Sequence, residues 1–84
     1  MTDAERIATM RAEREAAFLT LDEALLRAFA AKYRVYVPAD PEAFWAGVHK
    51  TRAGLTSLPR EVRVASKLWL EAHGYQLAPG TTGL

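Results

Sequence analysis

Lys50, Arg52, Arg60, Arg63 and Lys67 gather five positive charges between positions 50 and 67. If residues from 60 onward are helical, Arg60, Arg63 and Lys67 stand at i, i+3 and i+7 and share one face. Helix-turn-helix readers of DNA present the start of a second short helix to the major groove. Here that start would carry Thr56, Ser57 and Arg60, with Lys50 and Arg52 ending the preceding helix within reach of phosphates. Such binding would weaken steeply with salt. Against it, the Gly-Leu-Thr-Ser-Leu-Pro turn at 54–59 exceeds the usual three or four residues, and the motif's pattern of small residues is missing. The plain alternative is a solvated helix face opposite an apolar stripe.

Other chemistries find less support. Zinc on a helix asks for two histidines at i, i+4, or a histidine with nearby carboxylates. His49 has no carboxylate three or four positions away, and Glu71 stands two residues from His73, on another side of a helix. His73 suits the negative end of a helix dipole, and His49, four residues after Trp45, can stack on that indole. There is no cysteine, so thiol catalysis, disulfides and Cys-based zinc sites are excluded. Ser57 and Ser66 are the only serines, no glycine-rich phosphate loop is present, and Glu13/Glu15 and Asp22/Glu23 diverge in direction. No enzyme, cofactor or metal is expected. Trp45 and Trp69 could anchor a partner, but both fall on apolar stripes and read as core aromatics.

The elements that must position these residues are helices. Residues 2–34 contain no Pro or Gly and are rich in Ala, Glu, Arg and Leu, all strong helix formers. Thr2 and Glu5 have capping-box spacing. Phe18, Leu21, Leu25 and Phe29 form a stripe, and its phase runs back to Ile7 and Met10, where Arg11 and Arg14 dilute it. Thr20 and Glu23 repeat the capping-box spacing, but the continuous phase favours one long helix. Val35, Tyr36, Val37 and Pro38 read as an extended connector plugging the core. Asp40-Pro41-Glu42 spells a helix start, Phe44, Trp45, Val48 and Leu55 mark that helix's inner side, and Gly54 suits a left-handed end. Ser57 or Leu58, Pro59 and Glu61 open the last helix. Its stripe is Leu58, Val62, Ala65, Trp69 and Ala72, widened by Val64 and Leu68, which makes it the most enclosed helix. Gly74 ends it with Tyr75 as the following apolar contact, and residues 76–84 read as a mobile tail.

At 84 residues the chain is near the lower limit for burying its own core. Half the residues are apolar and a quarter charged, a globular composition. Net charge is +1, which argues against a bulk polyanion binder. Residues 1–31 carry four basic and six acidic groups, residues 32–84 seven and four. The N-terminus lacks the pattern of a signal peptide, and no apolar run approaches a membrane span, so the cytoplasm is the expected compartment. A small core without a staple favours a partner. One long helix beside two of about 14 residues leaves Ile7 and Met10 uncovered. A second copy paired antiparallel, with Arg11 and Arg14 meeting Glu13 and Glu15, would cover them, as would a foreign protein; otherwise that end is a solvent-facing extension.

The segment Asp40–Tyr75, DPEAFWAGVHKTRAGLTSLPREVRVASKLWLEAHGY, covers 36 of the 84 residues. Through Phe44-Trp45, His49-Lys50, Leu58-Pro59 and Lys67-Leu68-Trp69-Leu70 it resembles small, functionally unassigned proteins of actinobacterial phages. The resemblance implies expression in a bacterial host's cytoplasm and a role in altering a host or phage protein. It brings no catalytic or binding residues, and the first 39 residues do not share in it.

The expectation is an all-α protein: one long N-terminal helix packed on a two-helix hairpin, a single domain over residues 1–75 and a tail over 76–84. Its expected function is a non-enzymatic protein–protein interaction module using Ile7, Met10, Arg11 and Arg14, with itself or a host protein as partner. The alternative is a helical DNA-binding protein using Lys50, Arg52, Arg60, Arg63 and Lys67. No membrane or small-molecule substrate is expected.

Overall fold

A computed structural model describes residues 2–75. These residues form four helices and no strand: α1 (Asp3–Thr20), α2 (Glu23–Tyr33), α3 (Pro41–Gly54) and α4 (Arg60–Ala72). The all-α class is as expected. The chain divides into two compact units, Met1–Val37 and Pro38–Leu84. The tail expected at 76–84 lies outside the described residues.

In the first unit the Glu5 N–H donates to Thr2 Oγ1 at 3.2 Å, so Thr2 caps α1 as its spacing predicts. The N-terminal segment, expected as one long helix, is helical from Asp3 to Tyr33 except at Leu21 and Asp22, where it reverses. Leu21 adopts a left-handed φ of 55°, a conformation that costs a residue with a Cβ ~1 kcal/mol. Side chains on both sides hold the break. Thr20 Oγ1 donates to the Ala17 carbonyl (3.0 Å) and accepts from the Asp22 N–H (3.2 Å), while Asp22 Oδ1 accepts from the Leu25 N–H (3.2 Å). The apolar phase does continue through the break, but the axis does not. Reversal lets Phe29 meet Phe18 edge-on at 6.0 Å and brings Glu13 against Lys32 (2.6 Å) and the Tyr33 hydroxyl (3.0 Å). Ala17, Leu26 and Ala30 are the buried apolar residues of this pair.

α2 ends on Arg34, also left-handed, with the Val35 N–H on the Ala30 carbonyl at 2.8 Å. The connector does not plug a core as expected. Tyr36 is 83% exposed and Val35 51%, because the turn at Arg34 already satisfies the helix end and leaves these side chains outside.

In the second unit Asp40 caps α3, accepting from the Ala43 N–H at 2.9 Å, with Pro41 as first helical residue. Phe44, Ala46 and Val48 are buried. Gly54 stays inside the helix without a positive φ, contrary to the reading of a left-handed end; the chain leaves through Leu55 at φ −82°. α4 follows Pro59, whose carbonyl accepts from the Val62 and Arg63 N–H groups. It ends as expected on Gly74 at φ 82°: the Gly74 N–H reaches the Glu71 carbonyl and the Tyr75 N–H the Leu70 carbonyl, the paired bonds of a Schellman end.

The predicted inner stripe of α4 is rotated by about one residue, ~100°. Ser66 and Leu70 are fully buried, whereas Leu68 is 59% exposed, Val64 39%, and Ala65 and Ala72 face out. The inner face runs through Val62, Arg63, Ser66 and Leu70. It looks polar in the sequence because Ser66 joins α3 through its hydrogen bond to His49.

Candidate functional site

Two places in the molecule could act on another molecule. The first is the stretch of α1 that α2 leaves free. α2 has 11 residues and α1 has 18, or about 16 Å against 27 Å. Lys32 and Tyr33, the last residues of α2, are level with Glu13. The residues before Glu13 therefore run past the end of α2 as an arm. Ile7 on this arm is 48% exposed, Met10 is half-buried and Arg11 is exposed. Arg14 is half-buried, and its Nε is shielded from water without a hydrogen-bond partner. The Glu13 carboxyl is held below its ordinary range by the Lys32 hydrogen bond first, and also by that of Tyr33. Between α1 and α2 lies an apolar cleft of about 270 Å³ lined by Ala16, Ala17, Leu25, Ala28 and Phe29 together with the Glu13–Lys32 pair.

The second place is a ring stack between α3 and α4. His49 lies on Trp69 at 4.2 Å between ring centres and 16° between planes. His73 covers the other face of the same indole at 3.8 Å and 16°. Trp45 stands farther from His49, at 6.5 Å and tilted, so the expected Trp45–His49 stack is the lesser contact. Both tryptophans are half-buried. His49 Nδ1 shares a hydrogen bond with Ser66 Oγ at 3.0 Å, and both residues are buried. His73 Nδ1 lies 2.8 Å from the Trp69 carbonyl. A carbonyl only accepts, so that nitrogen carries the proton, and the imidazole serves as a cap for the end of α4. Burial pushes the His49 imidazole down to about 4, helped by the charges of Arg52 and His73.

The Ser66–His49 pair resembles a hydrolytic dyad, but Ser66 is fully buried and no carboxylate orients the imidazole among the described residues. It joins two helices. In the sequence the only link between these residues is a serine 17 positions from a histidine, one on each side of the 54–59 turn. Among the described residues no group of three or more His, Asp or Glu could hold a metal ion, and no helix is long and apolar enough to cross a membrane.

The five basic residues do not share an exposed surface. Lys50 and Arg60 are exposed, Arg63 and Lys67 half-buried, and Arg52 buried at 5% exposure. The Arg63 Nε–H donates to the Leu58 carbonyl at 3.1 Å. Arg52 Nε has no hydrogen-bond partner, and burial lowers the pKa of its guanidinium. Lys50 lies over the Tyr75 ring, 5.4 Å from its centre.

Fold and sites together define a small all-α chain of two helical pairs. No family model, curated protein or solved structure matches it.

Proposed function

We propose that this chain is a small non-enzymatic protein–protein interaction module whose N-terminal arm docks on another protein. The observation that carries the reading is Ile7, half-exposed on an arm that extends the face α2 covers farther along α1. Met10 continues that face, and Arg11 and Arg14 supply charge around it. The resemblance to actinobacterial phage proteins adds the setting: a bacterial host's cytoplasm, with a host or phage protein, or the chain itself, as partner. The test is affinity capture with the wild-type chain beside an Ile7→Asp/Met10→Asp variant, with folding checked by circular dichroism. Loss of the wild-type partners from the variant is expected; an unchanged set of partners refutes the reading.

A second reading, DNA binding through the start of α4, is favoured by one observation. The first turn of α4 has no side-chain cap and Arg60 stands exposed on it, an arrangement suited to a phosphate. Burial of Arg52 and the Arg63 bond to Leu58 count against a broad basic face. Gel shifts with duplex DNA at low salt decide it, using Lys50→Glu/Arg60→Glu because both side chains are exposed. The absence of any shift removes this reading.

A further inference from the structure

On α1, Asp3, Ile7, Met10 and Arg14 are separated by four, three and four residues, the spacing of a two-stranded seam. They lie on one face, and Ala17 and Phe18 continue that face under α2. The spacing is the same from either end, and the chemistry is complementary end to end: acid, apolar, apolar, base. A second α1 laid antiparallel on the first therefore sets Asp3 against Arg14 at both ends and Ile7 against Met10 in between. Along one edge Arg6 comes opposite Glu13 of the second copy, and along the other Ala4 comes opposite Arg11, so no like charges meet. Asp3 is exposed, and Arg14 forms no ion pair among the described residues while its Nε lacks an acceptor.

We propose that the uncovered face of α1 is a homodimer seam in this antiparallel register, with Asp3 and Arg14 as the reciprocal ion pairs; this rests on the reading of the arm as an interaction surface. α2 ends level with Glu13 and runs antiparallel to α1. In this register the second copy's α1 points the same way as α2. The register differs from the sequence expectation, in which Arg11 and Arg14 meet Glu13 and Glu15: here Arg14 meets Asp3, and Glu15 lies off the seam. A seam with two apolar pairs is small, so the dimer is weak.

Sedimentation of the full chain across the micromolar range reads the monomer–dimer equilibrium. Asp3→Arg and Arg14→Asp are each expected to weaken it by about tenfold, through lost pairs and new like-charge contacts. The double variant D3R/R14D is expected to recover wild-type dimerisation; a double variant as weak as the singles overturns the register. Because the chain has no cysteine, a mixture of I7C and M10C chains gives an independent readout. Mixed disulfide dimers in excess over both homodimers are expected, and their absence overturns the proposal. A wild-type chain that stays monomeric, yet captures a foreign protein through Ile7 and Met10, sinks the seam but keeps the interaction module. A dimer that survives Ile7→Asp/Met10→Asp sinks both.

Discussion

Protonation of His49 should control the stability of the second unit below neutral pH. Its imidazole is buried against Trp69 and bonded to Ser66. The charges facing it are Arg52 from its own helix and His73 from the end of α4, both opposing protonation. In the unfolded chain the group titrates near 6.5, in the folded chain near 4. Between these values the unfolded state binds more protons, so acid favours unfolding. The contribution is fully present above pH 6.5 and lost as pH falls through 4. A pKa unit is worth about 1.4 kcal/mol, which sets a ceiling of about 3 kcal/mol. Two helices form a thin layer that water screens, so about 1.5 kcal/mol is the working figure. The assay is urea unfolding followed by tryptophan fluorescence from pH 7.5 to 4, on wild type and His49→Gln. Carboxylates such as Glu13 titrate in both proteins and cancel in the difference. Wild type should lose its advantage over the variant across that window; parallel curves would refute the burial argument.

Two glycines should respond in opposite directions. Gly47 is exposed in mid-helix with open space where a Cβ would go, so Gly47→Ala should stabilise by about 0.5–1 kcal/mol. Gly74, at φ 82°, should lose about 1 kcal/mol as alanine; thermal melts measure both. Asp22→Ala should cost about 1 kcal/mol through its lost cap, read by circular dichroism in denaturant. On α4, Leu70→Ala should cost about 3 kcal/mol while Leu68→Asp changes stability by less than about 0.5 kcal/mol. The reverse order in urea unfolding would mean that the inner face of α4 is the sequence-predicted one.

Helix ends were the most legible part of the sequence, because a cap is a local arrangement of a few atoms. Thr2, Asp40 and Gly74 all act as their types and spacing indicate. The break at Leu21 has a local signal, since Thr20 and Asp22 both offer bonds to the backbone, but the apolar phase across them is continuous and points to one helix. Phase cannot tell a straight helix from one that folds back, since residues on either side of a reversal can still share an apolar surface. Gly54 misled for the opposite reason. A glycine permits a left-handed turn without requiring one, and here Leu55 takes the exit in an ordinary conformation.

The candidate sites divide along the same line. The length argument set one unbroken N-terminal helix beside two shorter ones, whereas the exposed arm arises because α1, with 18 residues, outreaches α2, with 11. The face of α4 was not legible, because the apolar pattern assigns a helix side by counting hydrocarbon. Ser66 contributes little hydrocarbon, yet it sits at the seam because it is small and because its hydroxyl can bond His49. Once that bond fixes the rotation of α4, Leu70 is carried inward and Val64 and Leu68 outward. Trp69 is left at the border, where His49 and His73 cover its two faces. Turning α4 so that Val64 and Leu68 faced inward would expose Leu70 and leave the His49 imidazole without its partner, so the aliphatic burial gained would be offset by the burial and the bond lost.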